Sequence, residues 1–275
     1  MTGRMERMEK DIVFGMPTLI EKNSARENAE LCARLGLRFV ELNMNLPEYQ
    51  LPELEKTDAL QALAEEMGLF WTIHLDENLN IADFNPLVAE AYQETVRRTI
   101  LVARELKAPI INMHLHHGIY ITLPDRKVMM YERNRKEYLE AFRLFREMCA
   151  ETVGDSGIRI TVENTDGFRE YEKEAVGLLL ECPVFGLTWD IGHSRAVQEK
   201  DEPFLRAHGE ALTHFHIHDG TAEPPRNHLA LGDGEIDLLE RLELAREHGC
   251  RCVLETKTVE ALERSVAWLK ERARM

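Results

Sequence analysis

Residues 158–193 read IRITVENTDGFREYEKEAVGLLLECPVFGLTWDIGH. The opening IRITVE (158–163) alternates and is rich in β-branched side chains, the pattern of a strand that buries one face. Residues 173–182 carry apolar side chains at helical spacing, and VFGLTWD (184–190) returns to a strand. A strand, a helix and a second strand in so short a stretch form a βαβ unit, which places both strands parallel in one sheet. Each strand ends on a carboxylate, Glu163 and Asp190.

The same alternation extends in both directions. Upstream, strands are predicted at 11–15, 38–42 (RFVEL), 70–74 (FWTIH) and 109–116 (PIINMHLH). Asn23 and Ser24 offer N-cap oxygens to a helix stopped by Gly36, and residues 58–67 form a helix closed by Gly68. Asn85 and Pro86 open a long helix through Leu106, and residues 131–153 are helical. Downstream come a short helix at 203–208, a strand at 212–218 (LTHFHIH), a helix at 236–248, a strand at 251–255 (RCVLE) and a helix at 259–274. Eight strand-then-helix units predict an α/β chain folded as a (β/α)8 barrel. The alternative is an open doubly wound sheet. Against it, Gly15 stands alone after the first strand, where such sheets carry a Gly-rich phosphate turn. With no linker or shift in composition, residues 1–275 read as a single domain, of which 1–10 form a flexible tail.

The chain of 275 residues is 44% hydrophobic and 30% charged, a balance that excludes a disordered or fibrous protein. No apolar run is long enough for a membrane span, and the charged first ten residues lack the apolar stretch of a secretory signal. Five cysteines without Cys-x-x-Cys spacing point to buried, reduced thiols in a cytoplasmic protein. A net charge of −15 opposes nucleic acid and anionic membranes as partners.

Six consecutive strands finish in a metal-ligand residue type: His74, His116, Glu163, Asp190, His216 and Glu255. Barrels carry their active sites at that rim. Carboxylates converging there would repel one another unless a cation or shared protons neutralised them. The mix of imidazole and carboxylate suits Zn²⁺, Mn²⁺ or Fe²⁺ better than Ca²⁺. Asp190 is followed by His193, and His216-Ile-His-Asp219 leads into a loop that returns through His228 and the turn Leu231-Gly-Asp-Gly234. Two choices stay open on spacing alone: which of His114, His116 and His117 faces the site, and which of His214, His216 and His218 does so. Glu41 ends the second strand in competition with Asn43 and is assigned to the pocket wall. Trp71 and Trp189 read as packing residues, and residues 127–135 as a solvated loop. The long connection at 118–134, with Tyr120, Met129, Met130 and Tyr131, reads as a lid that excludes water.

With these strand ends placed, the chain resembles the xylose isomerase-like TIM-barrel superfamily, which includes sugar isomerases and epimerases and endonuclease IV. The resemblance runs through His74-Leu-Asp-Glu-Asn-Leu-Asn80, His116-His-Gly118, Val162-Glu-Asn-Thr165, Asp190-Ile-Gly-His193, His216-Ile-His-Asp219 and Leu254-Glu-Thr256. It selects His216 over its neighbours. In the isomerase and epimerase branch it implies one divalent metal, Zn or Mn foremost and Fe, Co or Mg as alternatives, held by Glu163, Asp190, His216 and Glu255. Glu163 and Glu255 would be the catalytic residues, moving a proton beside a polarised carbonyl of a carbohydrate through an enediolate, with His193 on a substrate oxygen. The endonuclease branch implies more than one Zn, with His74, His116, His193 and His228 as further ligands for phosphodiester hydrolysis. Against that branch, the expected Asp-x-His reads Arg226-Asn-His228, and the Gly-rich stretch expected after the fifth strand reads DGFREY (166–171). Arg226 would repel a zinc cluster but help to hold a sugar phosphate or carboxylate. The partner implied is a small carbohydrate, with no nucleic acid or membrane; a homo-oligomer is compatible. A barrel that binds metal or sugar without catalysis is the third reading.

Overall fold

The eight expected strands hydrogen-bond side by side and close on themselves. The computed structural model describes residues 11–273, so the expected tail at 1–10 and the last residue of the final helix, Arg274, lie outside the described residues. The barrel strands are β1 (Val13–Pro17), β2 (Phe39–Asn43), β3 (Phe70–His74), β4 (Ile110–His114), β5 (Arg159–Glu163), β6 (Phe185–Asp190), β7 (Leu212–Ile217) and β8 (Arg251–Leu254). Each pairs in parallel with its sequence neighbours, and β1 pairs with β8 through Val13 and Arg251, which closes the ring. The open-sheet alternative is thereby excluded. The protein is a single (β/α)8 barrel.

Local chemistry sets the helix ends. Ser24 Oγ accepts from the Glu27 amide to cap Ala25–Leu35, which ends at Gly36 in the left-handed conformation. Asn85 caps Pro86–Leu106 through the Leu87 amide. The helix expected at 131–153 is broken at Asn134 into Met130–Arg133 and Arg135–Val153. No described helix is long and apolar enough to cross a membrane.

Strand alternation sorts the side chains into two layers. One set, including Val40, Leu42, Trp71, Ile73, Ile160, Val162, Leu187 and Trp189, is buried in the hydrophobic core under the helices. Both tryptophans are fully buried there, as expected of packing residues; Trp71 Nε1 donates to Leu60 O and Trp189 Nε1 to Ser194 Oγ. The other set fills the barrel and is strongly polar. Thr72 Oγ1 donates to Glu41, while Thr161 and Thr188 donate to Asn112 Oδ1. A polar interior needs partners for every group it buries, and here those partners lead up to the mouth of the barrel.

Two hairpins interrupt the strand-helix alternation. One pairs Tyr120–Thr122 with Lys127–Met129, so the stretch read as a solvated loop is partly structured and roots in the buried Tyr131. The other pairs Asp219–Ala222 with Pro225–Leu229 beyond β7. Both stand on the side of the barrel where the strands end.

Candidate metal centre

Glu163 and Asp190 are the last residues of β5 and β6, His216 is the penultimate residue of β7, and Glu255 directly follows β8. One ligand-capable atom of each lies within 4.8 Å of the others, and all four residues are buried. His216 Nδ1 is 3.1 Å from Glu255 Oε2, 3.3 Å from Glu163 Oε2 and 3.9 Å from Asp190 Oδ2. His216 Nδ1 and Glu255 Oε2 are buried and have no hydrogen-bond partner. Three carboxylates and an imidazole that converge in this way, two of their buried atoms unpartnered, fit a divalent cation.

The electrostatics follow from that crowding. Burial pushes the Glu163 carboxyl up, but His216 and His114 outweigh it and hold it well below the usual range. Burial likewise opposes ionisation of Glu255, and His216 and Lys257 overcome it. Asp190 is lowered against burial by His193 and His218. Burial alone would lower His216, yet Glu163, Glu255 and Glu41 raise it well above an ordinary histidine. The same carboxylates would favour a metal at Nδ1.

The neighbouring histidines divide into three groups. His74 Nε2 stands 3.4 Å from Glu163 Oε2, with Nδ1 at 2.7 Å from Leu75 O. His193 Nδ1 lies 3.6 Å from Asp190 Oδ2 and 3.7 Å from Glu163 Oε1 and has no hydrogen bond. His228, which adopts a positive φ of 54°, is 3.0 Å from Glu255 O through Nδ1. Burial lowers its pKa to about 4, with His218 adding to the effect.

The placement of His116 needs correction. β4 ends at His114, two residues earlier than the pattern suggests, and His114 Nε2 is the atom that meets Glu163 Oε2, at 3.1 Å. Asn112 and His114 share the inward face, and Asn112 Nδ2 donates to Glu163 Oε2. The chain then leaves the strand, and His116 accepts from the Gly118 amide at 3.0 Å on the wall of the adjoining cavity. Arg226 is exposed on its hairpin, and its neighbour Asn227 lines the cavity instead. That cavity, of about 520 Å³, opens beside His114, His116, His193 and Asp166.

The profile of the family described as a xylose isomerase-like TIM barrel matches residues 29–272. The chain belongs to the xylose isomerase-like TIM-barrel family. Among solved structures, a D-tagatose 3-epimerase-like protein is 25% identical, with a TM-score of 0.76 over 96% of this chain and 97% of that one. The 3-keto-D-glucoside 4-epimerase YcjR from E. coli is 16% identical, with a TM-score of 0.74 over 95% and 100%. The IolI protein, solved with a zinc atom, is 16% identical, with a TM-score of 0.69 over 96% and 99%. No curated protein matches the sequence.

This xylose isomerase-like barrel also brings residues to the site that motif reading passed over. Glu41, assigned to the pocket wall, is buried inside the barrel within 2.9 Å of His216 Nε2. Its competitor Asn43 instead accepts from the Asn45 amide in a turn. His218 Nε2 is 2.9 Å from Asp190 Oδ2, and Lys257 Nζ is 2.8 Å from Glu255 Oε1. The alternation of LTHFHIH put His214, His216 and His218 on one face, so that signal was present. Nothing in the local pattern around Lys257 marks it.

Proposed function

We propose that the protein is a divalent-metal-dependent isomerase or epimerase of a sugar or sugar phosphate. The observation that carries this reading is the convergence of Glu163, Asp190, His216 and Glu255, with His216 Nδ1 and Glu255 Oε2 buried and unpartnered. The same reading is supported by the epimerase names of the similar structures. These four residues would hold the ion, with Zn²⁺ or Mn²⁺ suiting the donors best. Bound there, the ion supplies Lewis acidity to a carbonyl oxygen, lowering the acidity barrier of the adjacent C–H bond.

The protein groups divide the remaining work. Glu163 Oε2 is occupied by Asn112 and His114, which leaves Oε1 to take the proton from carbon. Glu255 Oε1 is held by Lys257, which leaves Oε2 to return a proton. Glu163 is held ionised, the state a base requires before it accepts a proton, and Glu255 would take up a proton from solvent before giving it to carbon. His193, with a free Nδ1 beside the cavity, suits a substrate hydroxyl or phosphate oxygen.

The test is deuterium wash-in. Protein loaded with Mn²⁺ is incubated in D₂O with a panel of ketohexoses that includes D-fructose. One carbon-bound deuterium per turnover is expected, with at least a thousandfold loss in Glu163→Gln, on the order of that seen when an essential base is removed. Sugar binding with no exchange would instead establish the non-catalytic barrel. A second reading, the multi-zinc hydrolase, is favoured by three further groups of converging ligand atoms: His74, Glu163 and His216; His193, His218 and His228; and Glu41, His214 and His216. It requires two or three ions per chain, which metal analysis separates from one.

A further inference from the structure

Glu41 is the carboxylate for which the reaction above has no use. It sits in the middle of β2 at 2% exposure, enclosed by the barrel. Its oxygens are spoken for in different ways. Oε2 accepts from Thr72 Oγ1 at 2.9 Å and lies 3.1 Å from His214 Nε2. Thr72 is its register partner on β3, so the adjacent strand itself sets the carboxylate's position. Oε1 is directed at His216 Nε2, 2.9 Å away, and that nitrogen has no well-aligned hydrogen bond to any described group.

The two nitrogens of His216 therefore face opposite chemistries. Nδ1 looks at Glu163, Asp190 and Glu255, and Nε2 looks at Glu41. A histidine ligates a cation through the nitrogen that lacks a proton, so ligation by Nδ1 requires the ring proton on Nε2. His216 is fully buried, and an N–H there needs an acceptor from the protein. Glu41 Oε1, 2.9 Å away, is the carboxylate oxygen within reach of it. A carboxylate serves better than an amide because it only accepts, and it faces two ring nitrogens, from His214 and His216, that both need an acceptor.

We propose that Glu41 is a positioning residue for the metal centre: it fixes His216 in the tautomer that presents Nδ1 to the ion. Its effect on the reaction runs entirely through His216. The proposal rests on the reading that His216 Nδ1 is a metal ligand, and it predicts a defect in metal binding in Glu41→Gln even though Glu41 lies outside the set of Glu163, Asp190, His216 and Glu255. Gln keeps the shape but replaces one oxygen with an NH₂ group, which leaves a single accepting oxygen where His214 and His216 each face one of their own.

The experiment titrates metal-free wild type and Glu41→Gln with Mn²⁺, reading free Mn²⁺ by electron paramagnetic resonance. Glu41→Gln is expected to bind about ten- to a hundredfold more weakly, the range for losing a hydrogen-bond partner of a ligating histidine. Equal affinities would overturn the proposal. Nitrogen-15 NMR on the metal-free wild type gives a second arm that needs no variant to fold and no metal to bind. The His216 Nε2 proton is expected in a slowly exchanging, hydrogen-bonded position, and an Nε2 without such a proton would overturn the proposal. Wild type that binds no Mn²⁺ while showing the bonded Nε2 proton would reject the metal reading and leave the Glu41 contact established.

Discussion

His117 shows how single residues tie the mouth of the barrel together. Its Nε2 is 2.5 Å from Asp166 Oδ1 and its Nδ1 is 2.5 Å from Glu172 Oε1, so both nitrogens face carboxylates and both must carry protons. Burial opposes that charge, but Asp166 and Glu172 raise the pKa from 6.5 to about 9. A pKa raised on folding means the clamp contributes its full stability below pH 6.5 and loses it as pH rises through about 9. Thermal melts should therefore show wild type more stable than His117→Gln at pH 6, with the gap closing by pH 10; a gap that stays constant would contradict the pairing. At this scale the strand-end positions of Glu163, Asp190, His216 and Glu255 were legible, because each closes an apolar strand. The sequence left open the choice between His114 and His116, which share a strand face. Only the point at which the backbone leaves β4 decides between them, and that depends on tertiary contacts. Gly192 is a further case: a Cβ there would stand 1.9 Å from His218 Cε1, so the chain needs glycine for His218 to reach Asp190.

The hairpins were not legible, for an element-scale reason. Strands of three to five residues with exposed tips carry too little alternation to be seen in sequence, and the pairs depend on what they rest upon. The hairpin after β7 rests on Asp219, whose carboxylate accepts from the amides of Gly220, Gly232, Gly234 and Ile236. Asn at this position has one accepting oxygen in place of two. Asp219→Asn should lower stability by about 3 kcal/mol, the loss of charge-assisted bonds to buried amides, as read by urea unfolding. A change under about 0.5 kcal/mol would show that the hairpin is held by other contacts. The first hairpin exposes Ile119, Tyr120 and Ile121 beside the cavity, anchored below by Tyr131 Oη donating to Asn80. Removing Pro124 and Asp125 from its tip should lower kcat about tenfold while leaving Mn²⁺ affinity unchanged, as a cover that excludes water would. Unchanged turnover would remove the hairpin from the reaction.

For the whole molecule, the fold was the most legible part, since strand-helix alternation repeated around the chain admits few arrangements. The polar interior was the least legible. Thr72, Asn112, Thr161 and Thr188 each look like ordinary strand residues, and only closure of the barrel makes them neighbours of one another and of Glu41 and His214. That closure turns separate strand ends into one ligand set, and the ligand set is the claim on which the account stands. Metal analysis of protein purified without added metal, followed by Mn²⁺ titration of wild type and Glu255→Gln, tests it most directly. One tight ion per chain in wild type and none in a folded Glu255→Gln is the predicted result. Wild type that takes up no ion, or Glu255→Gln that keeps a full equivalent at the same affinity, would contradict it.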